Sequence, residues 1–286
     1  MKTDYHIHTI VSDAIIIPDE IFPVAAELGI SEISITDHDA VGAYFHFHDD
    51  LFARARHFGL QLITGVELDS EFDGVEIHIL GYHFDLSHGE LTAYLHHVQD
   101  LRRQRVTDQI HQINEHFGYE IIRAAKVFAP HRDTVMSPHL VHALLDSGHF
   151  TEYRPAARWI KDHIHPAVTV PKPACAEMIR LIRAAGGTAV LAHPGYYIKE
   201  HRLSLDRLLT ELIPAGLSGL EVEYRYRGTS PEFPTLADEE VMIRYLRDEA
   251  RRHGLWTTSG SDAHRLVELR TFHTSPATSS PSKRNQ

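Results

Sequence analysis

Sulfur chemistry is almost absent from this 286-residue chain, in which Cys175 is the only cysteine. No intrachain disulfide can form, and a reducing cytoplasm is the expected compartment. Long apolar runs are missing as well. None approaches the roughly 18 residues that a membrane helix needs, and Met1 leads directly into a strand-like Tyr5–His8 with neither a basic nor an apolar leader segment. No membrane association and no secretory signal are expected. Positive charge is in short supply: 28 Lys and Arg stand against 39 Asp and Glu, a net charge of −11. That balance argues against a protein that coats long nucleic acid. It leaves nucleotides and short oligonucleotides open, because bound metal ions would reverse the sign locally. Two nucleotide- and acyl-transfer signatures are also lacking. There is no G-x-x-x-x-G-K-[ST] loop, and Ser259 and Ser261 fall in Thr258-Ser259-Gly260-Ser261-Asp262, which is not a G-x-S-x-G elbow.

What the chain has in excess is histidine, 24 residues. At that frequency about two H-x-H pairs would arise by chance, so the pattern alone decides nothing. Three occur: His6/His8, His46/His48 and His163/His165. Their positions on the elements must discriminate.

Short apolar strands alternate with amphipathic helical stretches, as in βα units around a parallel sheet or barrel. The first strand is read at Thr3–His8. A helix opened by Pro18 and stopped by Gly29 follows. Ile30–Thr36 is a strand, Val41–Phe58 a helix, and Leu60–Leu68 and Val75–Tyr82 are strands joined by an Asp73-Gly74 turn. From Ser87 to Thr169 the pattern is entirely helical, with a long helix from Leu91 to Phe117. Strands resume at Thr188–Ala192, Gly219–Tyr224 and Leu255–Gly260, giving about seven. The domain division expected is 1–86 with 170–273, interrupted by a helical subdomain at 87–169. The Ser-, Thr- and Pro-rich tail 274–286 reads as disordered.

Nearly every strand ends in a side chain that can hold a metal. His6 and His8, two apart on a strand, share a face while Ile7 packs the other way. Asp13 lies in the next loop. Later strand ends carry Asp37-His38-Asp39, Glu67, His78, His193 and Asp262-Ala263-His264. Strand ends form the rim where α/β barrels build active sites. Nine nitrogen and oxygen ligands without a thiolate suit Mn²⁺, Fe²⁺ or Zn²⁺, and at three or four ligands each they imply two or three ions. His46/His48 fall on a predicted helix, where residues two apart diverge, and are read with His96, His97, His111 and His116 as a solvated face. His163/His165 are read as structural, as is Cys175.

In order along the chain, the motifs His6-Ile7-His8, Ser12-Asp13, Thr36-Asp37-His38-Asp39, Gly65-Val66-Glu67, His78, Ala192-His193-Pro194-Gly195 and Gly260-Ser261-Asp262-Ala263-His264 resemble those of the PHP (polymerase and histidinol phosphatase) family. The resemblance implies an α/β fold, a distorted seven-stranded (β/α)7 TIM-like barrel with an inserted helical subdomain, and a trinuclear metal cluster. It implies that His6, His8, Glu67 and Asp262 hold one ion. Glu67 would bridge to a second at His78 and His193, and Asp13, His38 and His264 would hold a third. The helical insertion is similar to that of the branch acting on nucleoside phosphates and short oligonucleotides. There an R-x-x-R, matched by Arg102 and Arg105, contacts phosphate, as a guanidinium fork does well. His139 matches a family histidine, although Ser137 stands where that branch usually has arginine. Arg225 and Arg227 at the rim are further substrate-binding candidates, and Tyr196 and Tyr197 could stack on a base or simply pack.

The function expected is hydrolysis of phosphate esters of nucleotides or short oligonucleotide 5′ ends by a metal-activated hydroxide. Asp39, His193 and Asp262 are the catalytic candidates, with an orienting role weighed for Asp39 and Asp37. The alternatives are a histidinol-phosphate phosphatase, a non-catalytic metal-binding regulatory domain, and an amidohydrolase-like C–N hydrolase. The last typically bridges its metals with a strand-end lysine, whereas Glu67 occupies the bridging place here.

Overall fold

A computed structural model describes residues 1–47 and 50–274. The chain starts with β1 (Thr3–Asp4), α1 (Pro18–Glu27), β2 (Glu32–Ser34), α2 (Ala43–His46), α3 (Leu51–His57), β3 (Gln61–Ile63), β4 (Gly65–Phe72) and β5 (Val75–Tyr82). Four helices follow: α4 (Gly89–Phe117), α5 (Ala124–Val127), α6 (Ser137–Asp146) and α7 (Tyr153–His163). Then come α8 (Cys175–Ala184), β6 (Thr188–Leu191), α9 (Pro194–Lys199), α10 (Leu205–Leu212), β7 (Leu217–Glu223), α11 (Leu236–His253), β8 (Trp256–Ser259) and α12 (Leu266–Thr274).

The expected seven-stranded barrel is not what the strands build. They form two sheets, a parallel one of order β1-β2-β3 and a mixed one of order β4-β5-β6-β7-β8. No closed barrel is found among the described residues. The stretch read as a single strand, Leu60–Leu68, breaks at Thr64: β3 pairs with β2, whereas β4 pairs with β5. The β4–β5 hairpin turns at Asp73 (φ 53°) and Gly74 (φ 75°), both left-handed as a two-residue hairpin prefers. It makes β5 antiparallel to both β4 and β6, which interrupts the βα alternation. Where the sheets meet, single contacts replace ladders. Tyr5 N–H donates to Ser259 O at 2.8 Å, His8 N–H to Ala263 O at 3.0 Å, and Asp39 N–H to Glu67 O at 2.8 Å.

The predicted helix Val41–Phe58 is two helices, because the Asp50 side chain accepts from Ala53 N–H and caps α3. His46 is exposed on α2, with Nε2 3.0 Å from Asp133 Oδ1 rather than free in solvent; His48 lies outside the described residues. Of the tail 274–286, only Thr274 is described, as the last residue of α12. Among the described residues no helix is long and apolar enough to cross a membrane.

Separate apolar clusters support these parts. One, with Ile7, Ile21, Ile33 and Leu51, lies against the three-stranded sheet. Another, with Val66, Ile79, Leu191, Leu220 and Leu246, backs the five-stranded sheet. Tyr5, Ile63, Leu80, Tyr82 and Val190 pack together from both sheets. Helices α4 to α7 gather a cluster of their own around Ile110, Ile113, Leu140, Leu144 and Ile160.

The join between the sheets is tight at Gly65. A Cβ there would stand 2.0 Å from Ser34 Oγ and 2.7 Å from the Ile35 carbonyl oxygen. The backbone oxygen cannot step aside as a flexible side chain can. Gly65→Ala should therefore lower unfolding free energy by about 1–3 kcal/mol, read from the urea midpoint; an unchanged midpoint would show that the contact relaxes freely.

Candidate metal centre

Glu67, on β4, is 1 % exposed and is the point where the cluster converges. Its Oε2 lies 3.2 Å from His6 Nε2, 3.2 Å from His8 Nε2 and 3.3 Å from His38 Nδ1. Its Oε1 lies 3.0 Å from His78 Nδ1 and 3.2 Å from His193 Nε2. Asp262 Oδ1 is 3.1 Å from His8 Nε2 and 3.5 Å from His6 Nε2, while its Oδ2 accepts from Tyr224 Oη at 2.8 Å. Asp13 Oδ1 is 3.3 Å from His264 Nε2 and 3.7 Å from His8 Nδ1. All nine residues singled out at the strand ends are thus brought to one place.

The sets compact enough to share an ion are His8, Asp13, His38 and His264; His6, His8 and Glu67; His38, Glu67 and His78; and Asp69, Glu76 and His78. Among the described residues this grouping shares His8, His38, Glu67 and His78 between sets, leaves out His193 and Asp262, and adds Asp69 and Glu76. Neither was identified from sequence. Asp69 follows Glu67 by two on the same strand, so both fall on one face; that spacing was the available signal. Asp69 Oδ1 lies 3.1 Å from His38 Nδ1.

Carboxylates behind the cluster hold it in place. Glu221, fully buried on β7, has Oε1 3.0 Å from His6 Nδ1 and accepts from His193 N–H through Oε2 at 2.7 Å. An acidic residue between Leu220 and Val222 was its only trace in sequence. Asp37 accepts from Thr9 N–H, Thr9 Oγ1 and Ser12 Oγ at 2.6–2.7 Å, fixing the loop between His8 and Asp13. Asp4 Oδ1 accepts from His6 N–H at 3.2 Å and Ser261 N–H at 3.0 Å. A Cβ on Gly260 would meet Glu221 Oε1 at 2.1 Å, so only glycine lets that carboxylate approach. Asp39 (φ 45°), His193 (φ 28°) and Asp262 (φ 50°) all hold left-handed backbone, which non-glycine residues enter at a cost.

The electrostatics are those of a cation site. Burial opposes charge on each imidazole, but the carboxylates prevail. His8 is pushed up to about 9 by Asp262 and Glu67, and His38 to about 9 by Glu67, Asp13 and Asp69. His6 and His78 rise in the same way. Burial likewise resists ionisation of Glu67, yet the surrounding imidazoles hold it well below the usual range. Two observations fit metal better than protons. His6 Nε2 and His8 Nε2 face each other at 3.0 Å, so their lone pairs converge, and the buried Nδ1 atoms of His8 and His193 have no hydrogen-bond partner among the described residues. Cys175 is elsewhere, buried with Sγ 3.2 Å from Ser70 Oγ.

A cavity of about 870 Å³ opens beside the cluster, lined by His38, His78, His193, Asp262 and His264 together with Tyr196, Arg225 and Arg227. Tyr197 is buried, accepts from His78 N–H at 2.9 Å and lines the same cavity. Arg102 reaches in from α4, its NH2 donating to Asp39 Oδ2 and Asp69 Oδ2, both at 2.6 Å. Burial raises the Asp39 carboxyl and Asp69 raises it further, against the pull of Arg102. Arg105 donates to Val168 O at 2.8 Å and lines an adjoining cavity. His139 is not gathered with these. It is buried, with Nε2 2.9 Å from Ser12 O, and burial together with Arg132 lowers it to about 4. It braces the loop that carries Asp13.

The family model described as PHP domain matches residues 4–171. A 5′-3′ exoribonuclease of Haemophilus influenzae is 30% identical over 68% of this chain and 70% of its own length. A 3′,5′-nucleoside bisphosphate phosphatase of Chromobacterium violaceum is 27% identical over 91% and 86%. A solved structure from Bifidobacterium adolescentis, assigned as a metal-dependent phosphoesterase, superposes with a TM-score of 0.76 at 26% identity, covering 93% of this chain and 88% of that one.

Glu221→Gln keeps the shape of the carboxylate but removes the charge behind His6. Isothermal titration with Mn²⁺ or Zn²⁺ should show divalent affinity reduced roughly 10- to 100-fold. Wild-type affinity would mean that Glu221 serves packing alone.

Proposed function

This chain belongs to the PHP domain family, and on that premise we propose that it is a metal-dependent phosphoesterase acting on nucleotides or short oligonucleotide 5′ ends. The observation that carries the reading is a single buried carboxylate, Glu67, in contact with five imidazoles, three of which (His38, His78 and His193) line a cavity that also holds Arg225 and Arg227. In the assignment we favour, His6, His8, Glu67 and Asp262 hold one divalent ion, Glu67, His78 and His193 a second, and Asp13, His38 and His264 a third. Bound there, two or three ions of Mn²⁺, Fe²⁺ or Zn²⁺ would supply Lewis-acid stabilisation of the phosphoryl group and acidify water.

The protein's own part is orientation. Tyr224 fixes Asp262 by donating to Oδ2, and Glu221 fixes His6 and the backbone of His193. Asp39 accepts from Asp69 N–H at Oδ1 and from Arg102 at Oδ2, so it positions the guanidinium rather than passing a proton. Arg102 Nε and Arg225 Nε are buried donors without a hydrogen-bond partner among the described residues. Phosphate oxygens are acceptors of the right charge for both. No lysine is among the described residues lining the main cavity, which separates the site from a lysine-bridged amidohydrolase. We assign residues 1–86 and 170–273 to the metal-binding unit and 87–169 to an inserted unit that shapes the substrate site.

Asp262→Asn and His8→Ala should each reduce hydrolysis of phosphate monoesters to background, with bound metal falling from about two to three ions per chain as measured by elemental analysis. Full activity in both variants would remove the cluster from the chemistry. Arg102→Ala should raise KM for phosphorylated substrates about tenfold or more, the worth of a charge-assisted hydrogen bond. An unchanged KM would confine Arg102 to its two carboxylates.

A further inference from the structure

The main cavity does not stand alone. It shares Asp69, Glu76 and Met136 with a second cavity of about 360 Å³, which runs under α4 past Arg102, Arg105 and Lys172. That one shares Arg105, Gln109 and Ser137 with a third, of about 550 Å³, lined also by Tyr153 and Lys161 of α7 and by His165 just after it. Three chambers with common walls therefore lead from Glu67's cluster to the outer helix of the inserted unit. A drug-sized ligand is enclosed by roughly 300–1,000 Å³, so the first chamber already suffices for one nucleotide. The two beyond it are surplus to a mononucleotide.

Their chemistry suits a polyanion with planar groups. Residues 89–169 carry nine basic and nine acidic side chains, so the chain's net charge of −11 lies wholly outside them. In the second chamber Lys172 is paired with Glu76 and Arg102 with Asp39 and Asp69, which leaves Arg105 as the further cation, and the third is lined by Arg105 and Lys161 with no acidic residue among its described lining. Tyr153, 42 % exposed, presents an aromatic ring at the end of the route. Cationic contacts to a backbone combined with aromatic platforms for bases are how single strands are held without sequence preference.

We propose that these chambers bind the single-stranded remainder of an oligonucleotide whose terminal phosphate sits at the metal centre, making a short oligonucleotide, rather than a free nucleotide, the preferred substrate. This rests on the phosphoesterase reading above. Arg225 and Arg227 line the main cavity but neither of the other two, and they define the competing route.

The test uses the full-length protein, an adenosine 3′,5′-bisphosphate substrate and 5′-phosphorylated oligoadenylates lengthening from two nucleotides to eight. In the wild type, KM should fall with length. Lys161→Glu and Tyr153→Ala, both outside the metal centre, should raise KM for the longest substrate roughly five- to tenfold and leave bisphosphate kinetics unchanged, stacking and phosphate contacts being lost separately. Fluorescence anisotropy of a 3′-labelled octanucleotide gives affinity without turnover. Its dependence on salt should weaken in Lys161→Ala by about 0.7 in the log–log slope, one single-strand phosphate contact. Length-independent KM in the wild type would overturn the proposal. So would unchanged octanucleotide binding in both variants, or binding lost only on Arg225→Ala and Arg227→Ala. If no phosphate ester is turned over while Lys161→Glu still weakens octanucleotide binding, the catalytic reading fails and the binding route stands.

Discussion

A carboxylate buried without compensation is among the most expensive features a protein can contain, with an effective penalty of several kcal/mol. Glu67 is such a group, and the fold around it can be understood as compensation. Five imidazoles surround it, reaching it from the loop after β1, the end of β2, the middle of β5 and the end of β6. The segments after β1 and β2 belong to one sheet and β5 and β6 to the other, and Glu67 on β4 is where the two pairs of segments converge. The strand sits at the edge of the five-stranded sheet, and its first residue, Gly65, presses against β2 of the other sheet. The seam between the sheets is therefore also the metal centre, and stability and chemistry draw on the same contacts.

Behind the histidines stands a second rank of carboxylates, Glu221, Asp4, Asp37 and Asp69, all buried. Each accepts from backbone or side-chain donors on segments that carry the inner residues. This arrangement explains part of the acidic balance of the chain. A sizeable share of its negative charge is enclosed, where it raises the pKa of four imidazoles and would equally attract divalent cations. The field that favours protons on these imidazoles is the one the proposed metals would answer to.

How much of this was legible follows from the range of each signal. His6/His8 and Asp262/His264 could be read because their spacing and strand-end position are local. The Asp73–Gly74 turn was legible for the same reason. Asp69 and Glu221 escaped because no motif marks a carboxylate inside a strand; only the pairing of β4 and β7 into their sheet reveals which way it faces. The barrel was misjudged for a related reason. Sheet order depends on partners far apart in sequence, and neither the two-residue length of β1 nor the switch at Thr64 leaves a compositional trace. The split of the predicted Val41–Phe58 helix was closer to hand, since Asp50 is a strong capping residue in mid-run.

The helices between β5 and α8 do more than cover the centre. Asp39 holds a left-handed backbone at the end of the segment carrying His38, and its carbonyl accepts from Gln99 Nε2 on α4 at 2.8 Å and from Thr134 Oγ1 at 3.4 Å. Its carboxylate takes Arg102 from the same helix. From the other side His139, on α6, holds the Ser12 carbonyl next to Asp13. Two loops that contribute to the centre are thus pinned by helical side chains that make no contact with Glu67. Strain at Asp39 can persist because these contacts over-determine it. A ligand that displaced Arg102 from Asp39 and Asp69 would act on the same loop that positions His38.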